Sequence, residues 1–187
     1  EATATSEFAQ RVYSDIPGVS HAVGYVKSPA KDSAGNYYRD YFQGMDGAEE
    51  AYSSTLAGHN GTTLTETDAR GKVVSQAQVD PAQPGQKLAL SIDADVTSGL
   101  YQSLAKVAAE SHFEGAAGLV IDVRTGELLA MTSYPEYSSQ AMTDGDAAAI
   151  AAYNADPYQP FLDRATDGLY APGSIVKPTM AAAALTE

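Results

Sequence analysis

The first part of the chain has short, interrupted hydrophobic stretches separated by turn residues, a pattern that predicts small strands and short helices. The spacing predicts a short strand at 19–26, a strand or the start of a helix at 36–42, a helix at 46–58 that begins behind Asp46, and two short strands at 63–79 around Ala69-Arg70-Gly71. Residues 80–86 contain two prolines and a glycine, and we predict a domain boundary there.

The hydrophobic pattern becomes more regular after residue 86. Residues 87–93 alternate as a strand does. A helix over 96–112, with Asp93 or Asp95 capping its first amides, is predicted by hydrophobic residues at helical spacing, namely Val96, Leu100, Leu104, Val107 and Ala108.

Two hydrophobic runs, at 116–123 and 127–134, flank Arg124-Thr125-Gly126 and predict a hairpin. Because both runs are almost continuously hydrophobic, we expect a sheet covered on both faces. A short helix at 144–156 and an irregular segment at 157–173 should follow. The last predicted element is a helix that starts at Ser174 and is rich in alanine, which favours a buried position.

Composition narrows the functions that this chain can have. A hydrophobic fraction of 44% in 187 residues is sufficient for a folded core. The formal net charge of −13 argues against nucleic acid or an anionic membrane surface as a partner. The absence of cysteine excludes disulfides, thiolate metal sites and cysteine nucleophiles. The three histidines lack metal-binding spacing, and we predict no metal or cofactor.

The ends of the sequence bear on its completeness. No run of 18 hydrophobic residues is present, so no segment of this sequence is expected to span a membrane. The sequence starts at Glu1, without Met, and stops at Glu187 within a predicted helix. We therefore expect a piece of a longer protein, whose membrane anchor could lie outside it.

A serine three residues before a lysine is the spacing of acyl-transfer enzymes in which the lysine activates the serine. The spacing occurs three times, at Ser28/Lys31, Ser103/Lys106 and Ser174/Lys177. Pro29 follows Ser28 in a polar loop, and the second pair lies on the polar side of the predicted helix. Both are best interpreted as ordinary surface residues.

Ser174 has a different context, because Pro172-Gly173 precedes it and a hydrophobic helix follows it. A serine in the first turn of a helix lies near free amides and the positive end of the helix dipole. Lys177, one turn later, faces the same side. Burial favours the neutral amine of a lysine, which is the form that acts as a base. On these residues alone, a simple helix cap with Lys177 pointing to solvent is an equally good interpretation.

Longer motifs around Ser174 carry a more specific signal. The stretches GAAGLVIDVRTGELLAMTSYPEY and PFLDRATDGLYAPGSIVKPTMAAAAL resemble the start of the transpeptidase domain of class B penicillin-binding proteins. Asp163 stands where that family has Asn, and Ile175-Val176 stand where it has Thr-Phe. Upstream, GMDGAEEAYSSTLAGHNG resembles a segment of the family's N-terminal pedestal domain, and PGQKLALSIDADV resembles the domain junction. The resemblance covers about residues 15–187.

The resemblance implies an α+β fold that is mostly β. An extended pedestal, or dimerisation, domain at 1–84 would precede an incomplete transpeptidase domain at 85–187, consisting of a helix, an antiparallel β-hairpin and the nucleophile helix. It also implies a serine-type D,D-transpeptidase at the extracytoplasmic face of the bacterial cell membrane, held by an N-terminal transmembrane helix that is not in this sequence.

The family also implies roles for individual residues. Ser174 would be the nucleophile, with its own amide as one oxyanion donor, and Lys177 would be the general base. The implied partners are a peptidoglycan stem peptide ending in D-Ala-D-Ala, β-lactams, and a membrane glycan polymerase, with no nucleic acid.

Two motifs of the family, S-x-N and K-T-G, do not follow Ser174 in these residues. Arg124-Thr125-Gly126 imitates the second motif, but it precedes the serine and is interpreted as a turn. We therefore expect that the chain alone does not bind penicillin stably. Two alternatives are a β-lactam sensor or degenerate interaction protein without catalysis, and a serine–lysine β-lactamase, against which the pedestal-like residues argue.

Overall fold

The computed structural model describes residue 8 and residues 10–171 and 173–186, so Pro172 of the predicted approach to Ser174 lies outside the described residues. The first part of the chain folds into three small antiparallel strand pairs and three short helices, as predicted for a region without long elements. In chain order the elements are α1 (Ser20–Val23), β1 (Val26–Lys27), β2 (Ala30–Lys31), β3 (Tyr37–Arg39), β4 (Gln43–Gly44), α2 (Gly47–Ala51), α3 (Ser53–Leu56), β5 (Thr62–Thr67) and β6 (Val73–Asp80). The antiparallel pairs are β1 with β4, β2 with β3 and β5 with β6.

The second part contains one long helix, one longer hairpin and several short helices. These are α4 (Ala94–Ser111), β7 (Ala116–Ile121), β8 (Leu128–Tyr134), α5 (Ser139–Asp144), α6 (Ala147–Ala155), the 3₁₀ helix η1 (Gly173–Val176) and α7 (Lys177–Thr186). β7 pairs with β8 in antiparallel register, with Ala116 opposite Tyr134. The observed order is therefore helix, hairpin and then the helix that carries the serine–lysine pair, in an α+β fold as predicted.

Several local predictions are confirmed by the hydrogen bonds that start each helix. The Asp46 carboxylate accepts a hydrogen bond from the amide of Gly47 at 2.9 Å at the start of α2. Asp93, rather than Asp95, caps α4, since its carboxylate accepts from the amide of Val96 at 2.9 Å. The short helix predicted at 144–156 is observed as α6, and its cap, which was not predicted, is Asp146, whose carboxylate accepts from the amides of Ala148 and Ala149.

Two predicted strands are wrong. Residues 20–23 form α1, which lies between two glycines in the left-handed region, Gly18 (φ 90°) and Gly24 (φ 80°). Residues 87–93, all of which the structure describes, contain no strand. They pass along β8, where the amide of Asp93 donates to the carbonyl of Leu129 at 2.8 Å and the hydroxyl of Ser91 donates to that of Leu128 at 2.8 Å.

α4 packs on one face of the hairpin, and its buried side agrees with the predicted stripe only in part. Ala108 of that stripe is 2% exposed, whereas Val96 and Val107 are 37% and 49% exposed and the unpredicted Thr97 is fully buried. Thr97 takes the buried position because the loop at Gly18 and strand β8 both approach it: a Cβ on Gly18 would lie 2.7 Å from Oγ1 of Thr132 and 3.2 Å from the carbonyl oxygen of Thr97.

The hairpin is not covered on both faces, which corrects the expectation from its hydrophobicity. Gly118 faces α4, with Leu100 in contact range, whereas Leu119 and Ile121 on the opposite face are 53% and 55% exposed. In the described chain α4 covers one face, whereas the 162–164 segment covers the other face at its Ser133 end and leaves Leu119 and Ile121 exposed. In the described residues, no helix is long and hydrophobic enough to cross a bilayer.

Candidate active site

The segment that leads to Ser174 has no regular secondary structure, so its shape depends on side chains from elsewhere. Ser133, near the end of β8, is 1% exposed and makes two hydrogen bonds to it. Its hydroxyl donates to the carbonyl of Leu162 at 3.0 Å and accepts from the amide of Arg164 at 3.0 Å. One buried serine thereby fixes both sides of residue 163 against the hairpin.

Arg164 holds the same segment from within. Its guanidinium donates to the carbonyls of Tyr158, Gln159 (3.2 Å) and Leu162 (3.3 Å). The guanidinium also lies across Gly115, just before β7, where a Cβ would collide with Nε. Arg164 is buried, and among the described residues its guanidinium meets backbone carbonyls and forms no ion pair with a carboxylate.

Asp163 forms the next turn towards Ser174. Its carboxylate accepts hydrogen bonds from the amide of Ala165 and the hydroxyl of Thr166, both at 2.9 Å. An Asn side chain could accept these bonds as well, so the departure from the family pattern at this position is mild. At Gly168 a Cβ would lie 2.7 Å from the carbonyl oxygen of Arg164, which keeps the turn compact.

The serine–lysine pair lies where two helical segments meet. Ser174 is in η1, and Lys177 is the first residue of α7. In a 3₁₀ helix side chains three residues apart are eclipsed, so this backbone places the two residues on one side. Gly173, in the left-handed region at φ 55°, makes the turn into η1. The predicted helix is confirmed.

The predicted burial of this helix is wrong for the described chain. Every described residue of η1 and α7 is exposed, including Ile175 (81%), Met180 (62%) and Leu185 (87%). Neither helix is packed into the core formed by α4 and the hairpin. A hydrophobic helix that is exposed on all sides has the composition of a buried element without its cover.

The other two serine–lysine pairs have structural partners. Ser103 donates to the carbonyl of Gly99 in its own helix at 2.8 Å, and Lys106 lies 3.9 Å from Glu110 one turn on. Ser28 donates to the carbonyl of Thr143 at 3.5 Å, and the amine of Lys31 lies over the ring of Tyr37 at 4.3 Å. Neither pair resembles a nucleophile beside its base.

Arg124-Thr125-Gly126 is a turn, as predicted. Gly126 has a φ of 79°, and its amide donates to the carbonyl of Asp122 at 2.8 Å. Arg124 pairs with the carboxylate of Asp122 at 2.9 Å, and this hydrogen-bonded ion pair lowers the pKa of Asp122. The turn lies at the opposite end of the hairpin from Ser133.

Residues that follow β8 join the hairpin to the first part of the chain. The Glu136 carboxylate accepts from the amides of Gly18 at 2.6 Å and Ser20 at 3.1 Å. Tyr137, 2% exposed, donates its hydroxyl hydrogen bond to the carboxylate of Asp46 and lies 3.2 Å from the carbonyl of Ser20. Burial raises the pKa of Glu136, and burial followed by the bond to Asp46 raises the pKa of Tyr137.

The grooves of the described chain lie elsewhere. A groove of about 1200 Å³ runs between β1–β3 and α5–α6, and Ser174 is not among its lining residues. Among the described residues no group of three His, Cys, Asp or Glu side chains is arranged to hold a metal ion.

Sequence comparisons match both parts of the chain to domains of one family. Residues 3–90 match the penicillin-binding protein dimerisation domain, and residues 116–187 match the penicillin-binding protein transpeptidase domain. The chain therefore belongs to the class B penicillin-binding proteins, as the sequence motifs predicted.

Named relatives agree with this assignment. The chain is 33% identical to peptidoglycan D,D-transpeptidase MrdA of Escherichia coli strain K12 over 96% of its own length and 29% of that protein. It is 26% identical to peptidoglycan D,D-transpeptidase FtsI of the same strain, over 96% of this chain and 26% of that protein. The chain thus spans less than a third of these relatives.

Solved structures show the same fold at lower identity. Penicillin-binding protein 2X of Streptococcus thermophilus superposes with a TM-score of 0.54 at 21% identity, over 82% of this chain and 20% of that one. A peptidoglycan synthase complex, described as coordinating polymerization and crosslinking, contains a chain that superposes with a TM-score of 0.59 at 24% identity, over 81% of this chain and 29% of that one.

The structural partners of Arg164 are the main feature that the sequence did not predict. The family motif includes this arginine, but its three acceptors are backbone carbonyls, which leave no pattern in a sequence. The two hydrogen bonds of Ser133 were not predicted either, because a serine near the end of a hydrophobic strand has no distinctive neighbour in the sequence. Gly115, immediately before that hairpin, was the one available signal of a close approach.

Proposed function

We propose that this protein is a peptidoglycan D,D-transpeptidase in which Ser174 is the nucleophile and Lys177 the general base. The observation that carries the proposal is the position of this pair at the start of a helix, behind a segment fixed to the transpeptidase hairpin. Relatives that are named D,D-transpeptidases support it. We also propose a division into domains at 1–84 and 85–187, supported by family matches that end at 90 and begin at 116.

The reaction would begin with proton transfer from the Ser174 hydroxyl to the neutral amine of Lys177. Oγ then attacks the carbonyl between the two terminal D-alanines of a stem peptide, forming a C–O bond. The amide of Ser174 donates to the oxyanion. The C–N bond breaks, the departing D-alanine takes up a proton, and an ester to Ser174 remains.

A second stem peptide completes the reaction. Its amine attacks the ester carbonyl and forms the cross-linking amide, while Oγ of Ser174 leaves and regains a proton. Water in place of that amine would hydrolyse the ester, and where a β-lactam has formed the ester this hydrolysis is the β-lactamase reaction. The exclusion of water and the selection of the amine therefore decide between the two activities.

The exposure of Lys177 defines what the rest of the site must supply. A lysine that acts as a general base does so as the neutral amine, which burial or a neighbouring cation favours, and Lys177 is exposed in the described chain. We propose that residues outside this chain cover α7 and provide the S-x-N and K-T-G motifs of the family. The chain's share of its relatives, at most 29% in the two named above, leaves ample length for them.

We propose partners and a location on the same basis. The substrate would be a stem peptide ending in D-Ala-D-Ala, and β-lactams would acylate the same serine. A membrane glycan polymerase is the proposed protein partner, supported by the synthase complex among the structural neighbours. The site would lie on the extracytoplasmic face of the cell membrane, anchored by a transmembrane helix outside this chain.

The test is a cross-linking assay with the whole protein, its polymerase and lipid-linked precursor. Ser174→Ala should abolish cross-links and labelling by a fluorescent penicillin, whereas Ser103→Ala, which removes a serine of the same spacing, should leave both unchanged. Lys177→Ala should slow acylation by about 100-fold or more, since general-base assistance is worth about 10²–10⁴. Cross-linking that persists in folded Ser174→Ala protein would refute the proposal.

The same reagents separate the alternatives. A transpeptidase should form cross-links and hydrolyse penicillin slowly, whereas a β-lactamase should turn over penicillin without cross-links and a sensor should be acylated without either. The chain of 187 residues alone should not be labelled stably. Robust labelling of that chain, lost in Ser174→Ala, would show that Lys177 needs no further cover.

A further inference from the structure

We infer that Arg164 is a positioning residue for the acylation step, which fixes where Ser174 is presented. This inference rests on the proposed function of Ser174. Arg164 does not touch the serine, which is ten positions further along the chain. It acts through the segment between them.

Arg164 organises the first half of the segment that leads to Ser174. Its guanidinium binds carbonyls at Tyr158, Gln159 and Leu162, so the backbone from 158 to 164 wraps around its own side chain. Without that side chain, the carbonyl of Tyr158 would lose the guanidinium donor, whereas those of Gln159 and Leu162 would keep the amide of Leu162 and the hydroxyl of Ser133. The positive charge that draws the three carbonyls together would also be gone, so we expect the segment to open towards water at Tyr158.

The folded segment is attached to one end of the β7–β8 hairpin. The amide of Arg164 donates to Ser133 on β8, and its guanidinium crosses Gly115 at the start of β7. These two residues lie at the same end of the hairpin, because Ala116 pairs with Tyr134. Arg164 therefore contacts both strands at one end of the most regular sheet of the described chain.

The third step concerns the distance to the serine. Gly168 packs against the Arg164 backbone, since a Cβ there would lie 2.7 Å from the carbonyl oxygen and 3.1 Å from Cα of Arg164. Leu169 and Tyr170, which follow it, are 99% and 63% exposed. Six positions separate Gly168 from Ser174, so we expect a shift at Arg164 to change the point from which the chain reaches the serine.

The chemistry of this site requires arginine. A planar guanidinium can meet three carbonyls at once, whereas a lysine amine is a point donor that cannot span them. Its charge is buried without an ion-pair partner among the described residues, which is costly for a group that serves stability alone. A displacement of about 1 Å at a nucleophile can cost about 10²-fold in rate.

The experiment measures acylation of the whole protein by a fluorescent penicillin in stopped flow, which separates the binding constant from the first-order acylation constant. Arg164→Ala should lower the acylation constant by about 30- to 100-fold with binding within about threefold. Arg164→Lys should recover only a small part of the loss. Arg124→Ala, which removes an arginine from an exposed turn, should change neither constant.

Gly115→Ala provides a second test that leaves Arg164 in place. Its methyl group would occupy the position of the guanidinium Nε and should slow acylation, whereas Gly99→Ala, which meets nothing within 4 Å, should not. A purely stabilising role predicts a different result: fewer protein molecules label, but those that do label react at the normal rate. That result would overturn the inference.

The pH–rate profile distinguishes positioning from an electrostatic effect on the base. Positioning lowers the profile without moving its midpoint, and a moved midpoint in Arg164→Ala would contradict it. Normal acylation in Arg164→Ala and Gly115→Ala, with Ser174→Ala inactive, would overturn this inference alone. Labelling that persists in Ser174→Ala would instead overturn the proposed function.

Discussion

The end of β8 and the helix α7 both belong to the proposed site, but the first is buried and the second is exposed. Around β8, Ala130, Thr132, Ser133 and Tyr137 are at most 2% exposed. In η1 and α7 every described residue is exposed. The chain thus builds the support that delivers the serine but leaves the serine and lysine without a cover. Placement and activation of the nucleophile are consequently separate contributions, and this chain contains the first.

The largest loss of stability is expected for a substitution in the packed region at the end of β8. Tyr137→Ala removes a ring whose centroid lies 5.6 Å from that of Tyr25, 5.0 Å from that of His21 and 5.6 Å from that of Phe161. It also removes the hydrogen bond to Asp46. We expect a loss of about 3–5 kcal/mol in the free energy of unfolding, because a large buried side chain leaves a cavity.

The control is a tyrosine from the exposed side. Tyr170→Ala should cost less than about 0.5 kcal/mol, since that ring is 63% exposed. Urea denaturation of both variants measures the two values. Equal losses would remove the distinction between a packed support and an uncovered nucleophile segment.

A smaller loss of stability is expected for a substitution at the contact between the first part of the chain and β8. Gly18→Ala places a methyl group 2.7 Å from Oγ1 of Thr132 and from Cβ of Tyr101, and should cost about 1–3 kcal/mol from crowding in addition to the cost of a positive φ. Gly35→Ala has a similar φ of 86° but meets nothing within 4 Å, so it measures the backbone cost alone. Thermal melts of the two variants give the difference. If both variants lose the same stability, the junction is not tightly packed.

The smallest predicted effect is a pH dependence at the same junction. Burial raises the pKa of Glu136 despite the two amides that donate to it. Because the folded state holds this proton more tightly than the unfolded state, the stabilising contribution is complete below the unfolded pKa and is lost as the pH rises through the raised, folded value.

Glu136→Gln tests the sign of that dependence. The variant lacks the titrating group, so its stability should be flatter than that of the wild type across the same pH window. Denaturation midpoints at several pH values measure the difference. A wild-type protein that gains stability relative to the variant as the pH rises would contradict the assigned shift.

Local signals in the sequence predicted the helix caps and the main hairpin because the groups concerned are close in the chain. Asp46 and Asp93 each accept from an amide within three residues, and the amide of Gly126 donates to a carbonyl four residues back, at Asp122. α1 was missed because the amide of its first residue, Ser20, donates to Glu136, which is 116 residues away. No local pattern reports such a partner.

The exposed face of the hairpin and the exposed α7 were mispredicted for a different reason. The hydrophobic side chains of Leu119, Ile121 and Leu185 are typical of buried positions. Hydrophobicity predicts burial but does not identify the element that covers the residue. In the proposed site the same limit applies to Lys177, whose position follows from the sequence but whose environment does not. The Arg164 anchor escaped prediction because backbone carbonyls accept its hydrogen bonds.

If Ser174 is the acylated residue, mass-spectrometric mapping of the penicillin adduct in the whole protein should find one adduct, on Ser174, that is absent from Ser174→Ala protein. An adduct on Ser28 or Ser103, or a protein that forms cross-links while Ser174 stays unmodified by penicillin, would contradict the proposed role of Ser174.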